Sequence, residues 1–270
     1  MLKNPDWHLL IVWYFFLGGI AGGAYFTAAI ADNFGSPRDK SVFRIGYVLA
    51  LLLIGLCGIL LILDLGTPSR FLNMVMNFTF WNPMSIGAWM LGIFGAFAFL
   101  SSALSFGGEG VAPLRRRLSL IGTVAGFFIA AYTGVLLSGT ALPFWTDSRL
   151  MGALFLASGA STGMAAISLL LYLSGESAGE GFSKVKRADR YAIMFEIVVL
   201  AAFLVLLGGA AGPLVSGQLA PLFWGGLVAV GLVIPLLVDL AGLKLPGAVP
   251  AALVLVGGFI LRYVIVMANA

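Results

Sequence analysis

The sequence predicts an all-α integral membrane protein, with eight transmembrane helices in two up-and-down four-helix bundles and both termini on the outer, periplasmic side. Three observations carry that prediction. The 270 residues are 61% hydrophobic and only 10% charged, far too apolar for a water-exposed domain. The apolar residues fall in runs of about 20, the length that crosses a bilayer as a helix. The connections are short, which makes sequential spans antiparallel neighbours. Residues 1–270 read as a single membrane domain, with spans near 9–31, 42–65, 84–106, 118–142, 149–173, 191–210, 221–241 and 246–268. Each is long enough to cross with some tilt.

Orientation follows from the basic residues. The loops after spans one, three, five and seven hold Arg38, Lys40, Arg44, Arg115, Arg116, Arg117, Lys184, Lys186, Arg187, Arg190 and Lys244, against Lys3, Arg70, Arg149 and Arg262 on the other side. The positive-inside rule makes the richer side cytoplasmic. The net charge of +4 is then a topology signal and not an affinity for nucleic acid. The opening MLKNPDWHLL has neither a basic n-region nor a small-residue cleavage site, so the first span is expected to be retained.

Two counts exclude chemistry. The single cysteine, Cys57, lies inside a span and permits no internal disulfide. The single histidine, His8, cannot supply the pair of axial ligands that a membrane b-type haem usually takes, and no cysteine cluster is present for an iron–sulfur centre. Electron transfer would therefore need a diffusible cofactor or a partner's centres. No Ser-His-Asp set, metal-ligand set or phosphate loop is present, which argues against hydrolysis and phosphoryl transfer.

Span one contains FLGGIAGGAYFTAA, with Gly18, Gly19, Gly22 and Gly23 at the four-residue spacing that lets helices approach closely. No strand precedes it, so a nucleotide-binding reading fails. Near its outer end lie His8 and Tyr14; His8 is either an interfacial residue or a proton carrier beside a redox ligand. Asp32 closes the span on the cytoplasmic side and reads as a solvated cap. Between spans two and three, Asp64, Arg70, Asn73, Asn77, Trp81 and Asn82 gather beside the membrane. They form either an interfacial cap, with Asp64 paired to Arg70 and Trp81 at headgroup level, or a site.

Span four closes as AAYTGVLLSGTALPFW. Tyr132 lies about ten residues, ~15 Å, below its outer end, and a buried Tyr finds a hydrogen-bond partner in nearby backbone or in a ligand. Ser138 and Thr140 can bond to their own helix carbonyls. Glu196 sits about five residues, ~8 Å, into span six. An intramembrane acid is a functional candidate, the alternative being a pair with Lys186 or Arg190. Pro235 marks a kink in span seven, and Asp239 reads as a second solvated cap. Arg262 lies within two turns of the outer end of span eight, close enough to snorkel. Trp7, Trp13, Trp81, Trp89, Trp145 and Trp224 all fall at or near outward ends. An ordinary aromatic belt populates both interfaces, so the alternative is a platform for a partner or a flat ligand.

The glycine pairs of span one, LDLGTPSRF (63–71), NPMSIGAW (82–89), YTGVLLS (132–138) with PFW (143–145), and GGFILRYVIVMA (257–268) occur in order. In this the sequence resembles the NrfD-like family, the membrane subunits of polysulfide reductase and related complexes. The resemblance implies a haem-free subunit that reacts with menaquinone or ubiquinone beneath an iron–sulfur protein. A molybdopterin or multihaem catalytic subunit would then complete the outer face. It places Tyr132 at the quinone, with Asp64 and Arg70 in the loop beside it. Tyr14 stands where some relatives carry a His, so Tyr132, Asp64 and His8 are the candidates for catalysis. Tyr14, Arg70, Asn73, Trp81, Tyr132 and Trp145 are the candidates for quinone binding. Glu196, with Asp32 and Asp239, would begin a cytoplasmic proton path. The competing readings are a structural anchor without quinone chemistry and a secondary transporter built on two four-span halves.

Overall fold

The computed structural model describes residues 9–64, 76, 83–139, 145, 148–243 and 245–268, with backbone alone at 64, 83 and 84. Among the described residues every regular element is helical and none is a strand. Eight helices are long and apolar enough to cross a membrane. They are α1 (Leu9–Phe34), α2 (Lys40–Asp64), α3 (Pro83–Ser105), α4 (Ala112–Ser138), α5 (Met151–Leu173), α6 (Glu180–Leu207), α7 (Leu222–Leu240) and α8 (Ala248–Met267).

Local chemistry sets several of these ends. Before α2, the 3-10 turn Pro37–Asp39 is closed by Asp39, whose carboxylate accepts from the Ser36 N–H at 2.7 Å and the Ser36 hydroxyl at 3.2 Å, satisfying donors that a helix start leaves open. At the far end of α6 the backbone turns at Gly208, with φ of 54°, a conformation that side chains with a Cβ rarely adopt. α6 begins at Glu180 rather than near 191, because Lys184 to Arg190 continue the helix beyond the apolar run.

Helices α1 to α4 close one ring, each touching the next and α4 returning to α1. In the second ring α5 packs on α6 and α8, and α8 on α7, with a lighter contact between α6 and α7. The rings join where α1 meets α5 and α8, and where α4 meets α5. Of the apolar windows in α1 and α5, 72% is buried, against 28% in α2 and α3, so α1 and α5 form the axis of the molecule. The outer faces of α2 and α3 leave Leu52, Ile59 and Phe99 exposed, as a lipid-facing surface requires.

The double glycines of α1 serve two partners at once. A Cβ at Gly23 would overlap the Gly159 carbonyl of α5 and lie 3.1 Å from Gly163 Cα, while one at Gly22 would lie 2.6 Å from the Gly126 carbonyl of α4. One residue of offset turns the contact from one neighbour to the other, so each pair supplies a glycine to each interface.

Span seven changes its hydrogen bonding next to the proline. Leu222–Val233 is a π-helix, and α-helical bonding resumes at Ile234 with Pro235 in its first turn. Proline has no N–H to place, so it fits where the ladder changes register.

Candidate functional site

One end of the molecule carries the start of α1 and the end of α8, and the other the basic loops. Near the terminal end of the first ring, four helices bring their functional side chains to one depth. Tyr14 is five residues into α1, Cys57 seven before the end of α2, Gly87 four into α3 and Tyr132 six before the end of α4. At ~1.5 Å per residue they lie roughly 6 to 11 Å from their helix ends.

The Tyr132 ring is 7% exposed and stacks on Phe128 with centroids 5.3 Å apart and planes 16° from parallel. Its phenol lies against Gly87, where a Cβ would fall 2.5 Å from the ring and closer still to the hydroxyl. Tyr14 has Cys57 and Tyr132 as its titratable neighbours. The Cys57 thiol reaches the Tyr14 carbonyl at 3.6 Å. Two phenols that can donate or accept thus sit beside apolar and aromatic surface. That donor set fits a flat ring bearing carbonyl oxygens.

The other sequence candidates fall into three groups. His8, Arg70, Asn73 and Trp81 lie outside the described residues, and Asp64 closes α2 at this same end with its side chain undescribed. Trp145 is 1% exposed in the core of the second ring, where its indole N–H donates to the Ile265 carbonyl at 2.9 Å. It pins the end of α8. Ser138 bonds to the Val135 carbonyl of its own helix at 2.9 Å.

The remaining charged candidates correct the solvated-cap and snorkelling expectations. Asp32 is 2% exposed and takes a two-pronged pair from Arg115 at 2.6 and 2.7 Å, with the Tyr47 hydroxyl at 3.2 Å. The Arg115 guanidinium lies over the Phe43 ring, 4.6 Å from its centroid. Asp32 therefore locks α1, α2 and α4 together. Asp239 pairs with Arg190 and, at 3.1 Å, with Lys186. Those two cations are thus engaged with Asp239.

Arg262 does not snorkel; it is fully buried. Its guanidinium donates to the Ser158 hydroxyl, to the Gly258 carbonyl at 3.0 Å and to the Phe155 carbonyl at 3.2 Å, and lies 5.2 Å above the Phe155 ring. Its face of α8 points at α5, so the route to the surface is closed. Glu196, 2% exposed, accepts from Ser161 and has Ser158 and Arg262 as its other polar neighbours. An acid and a base are thus buried together, linked by serine hydroxyls. Sequence reasoning missed Ser158 and Ser161, because a serine within an apolar run reads as a bond to its own helix. Among the described residues no three His, Cys, Asp or Glu side chains gather as a metal site.

The fold and these two buried polar centres define a multi-pass integral membrane protein of eight helices. The family model described as "Polysulphide reductase, NrfD" matches residues 2–270, and the protein belongs to that family. It is 30% identical to the C subunit of the polysulfide reductase of Wolinella succinogenes, over 97% of its own length and 94% of that subunit. It is 27% identical to the protein NrfD homolog of Haemophilus influenzae over 88% of its own length and 84% of that relative, and 25% identical to protein NrfD of Escherichia coli over 98% and 94%.

Proposed function

We propose that the protein is the membrane anchor and quinone-reacting subunit of a multi-subunit respiratory oxidoreductase. It would exchange electrons between menaquinone or ubiquinone and an iron–sulfur partner on the outer face of the inner membrane. A molybdopterin or multihaem subunit would carry the terminal reaction. The observation that supports this most directly is the placement of Tyr14 and Tyr132 at one depth, with Gly87 and Phe128 against the Tyr132 ring. Membership in a family whose relatives include a polysulfide reductase subunit agrees with it.

In this reading the quinol is a substrate, and its oxidation releases two electrons and two protons. The electrons go to the partner's iron–sulfur centre and the protons to the outer aqueous side. The phenols of Tyr132 and Tyr14 orient the two ring oxygens, and the surrounding apolar side chains exclude water. Asp64 receives a proton, with His8 as the alternative acceptor, and Arg70, Asn73 and Trp81 are the further candidates for contact with the quinone. The redox chemistry belongs to the quinone; the protein contributes position and electrostatics. In the opposite direction quinone reduction takes up two protons, and their supply from the cytoplasmic side would pass through Glu196. Asp32 and Asp239 are proposed as its cytoplasmic mouths, and each would have to exchange its basic partner to take a proton.

The test is quinol oxidation by the assembled complex, comparing wild type with Tyr132→Phe and Asp64→Asn at equal assembly. A loss of about 10²-fold in turnover is expected for each, the scale on which a positioned proton-transfer group acts. Unchanged turnover in both would leave a structural anchor as the better account.

A further inference from the structure

Helices α5 and α6 run antiparallel, and their polar residues repeat with one interval. Ser161 and Ser168 are seven residues apart on α5, as are Glu196 and Asp189 on α6. Ser161 bonds to Glu196, so two turns along, about 10 Å nearer the basic end, the same register sets Ser168 opposite Asp189. Both residues line one small cavity closed by Ile193, Pro235 and Ala251, with a volume of about 30 Å³. The Ser168 hydroxyl and the Asp189 Oδ1 are buried in it without a hydrogen-bond partner, and Ser168 is 5% exposed. Buried polar atoms almost always find partners. A polar cavity of this size has room for a water molecule bonded to both.

Charge decides what Asp189 can be. The charged groups around it are Lys186, Arg190 and Glu196 on its own helix and Asp239 on α7, while Ser168 faces it from α5 and Ala251 from α8. Lys244 lies outside the described residues. Lys186 and Arg190 are both engaged by Asp239, so two bases meet two acids and a third acid stands two turns deeper. Asp189 makes no ion pair among the described residues. An acid with one oxygen buried, acidic neighbours and no paired cation among the described residues is placed to hold a proton.

We propose that Asp189 and the water-sized cavity it shares with Ser168 form a proton-loading site at the basic end of the second ring. The carboxyl takes a proton from the solvent beyond Asp239 and holds it as a neutral acid. It hands that proton, through a transient water past Ile193, to the Glu196 carboxylate and is left ionised until reloaded. Ile193 lies between the two carboxyls, one turn from each, and is 3% exposed, so it keeps the two steps apart. The loading rests on the geometry alone. The use of the proton rests on the quinone reading above.

The two parts are tested separately. Infrared spectra of the purified full-length protein at pH 7 should show the C=O stretch of a protonated carboxylic acid, shifted in deuterium oxide and lost in Asp189→Asn. A band unchanged in Asp189→Asn would mean that Asp189 is ionised and would overturn the proposal. Ser168→Ala keeps the acid while removing the second partner of the water, and should shift the band without abolishing it; an unmoved band would remove the shared water. In liposomes holding the assembled complex with its partner reduced, quinone reduction consumes two protons, and Asp189→Asn should lose at least tenfold in the rate of proton uptake from the basic side while still oxidising added quinol. Retained uptake would place the entry elsewhere. Absent quinol oxidation in the wild type would instead refute the quinone reading and leave the infrared result standing.

Discussion

A guanidinium with no solvent exposure must be matched by acceptors, and Arg262 is matched by carbonyls and hydroxyls, with Glu196 one serine away. The pair is indirect, and each charge adds to the hydrogen bonds that hold the other. Removing one partner of a buried pair costs about 3–5 kcal/mol, because the remaining charge is stranded. Arg262→Met should therefore lower the thermal midpoint in detergent sharply, while Arg262→Met with Glu196→Gln should recover much of the loss. Additive losses in the double variant would show the two residues to be uncoupled. The sequence makes both charges visible and leaves their relation hidden. Distance from the helix end suggested an easy exit for Arg262, but the direction of its helix face decides the matter, and that depends on packing. Tyr132 and Tyr14 are similar: each is readable as a polar tip in an apolar run, and only the ring of four helices shows that they are neighbours.

Among the elements, α1 is the one whose packing leaves least freedom. Gly23→Ala forces a Cβ into the backbone of α5, and overpacking of this kind costs about 1–3 kcal/mol. Gly55→Ala on α2 has nothing within 4 Å of the added carbon and should be neutral or gain up to about 1 kcal/mol from helix propensity. Thermal midpoints of the two variants in the same detergent check the contrast; equal losses would mean that the α1–α5 approach is not the sensitive contact. Glycine spacing made this interface legible in advance. The π-helical stretch of α7 was not legible, since Pro235 marks a disturbance in the ladder without specifying its form. Nor was the early start of α6, because charged residues end a hydropathy run without ending a helix.

For the whole molecule, eight spans and their order could be read from apolar run length, and the closure into two rings follows from the short connections. The rings are also tied at the basic end, where Arg38 meets Glu180 at 3.2 Å and Lys184 meets Asp39 at 3.0 Å. The Arg38–Glu180 pair is exposed, and such pairs contribute about 0–1 kcal/mol, so Glu180→Gln should leave the thermal midpoint nearly unchanged; a large fall would assign the ion cluster a greater share in holding the rings. Orientation rests on charge counting and has a direct test. In a Cys57→Ser background, Ser177→Cys at the basic end should resist an impermeant thiol reagent applied outside intact cells, and Ser216→Cys at the other end should react. The reverse pattern would turn the topology over.

The buried arginine also bears on how the protein is made. Its partners on α5 and α6, Phe155, Ser158 and Glu196, precede it in the sequence, and α8 is synthesised last of the eight helices. A lone guanidinium entering hydrocarbon is resisted by up to roughly 3 kcal/mol on insertion scales, and that resistance disappears when acceptors are already in place. Insertion of the final helix is thus eased by the assembly of those before it. A ribosome stalled short of α8 would leave Glu196 without its counter-charge, a signal that membrane quality control could read as an unfinished protein.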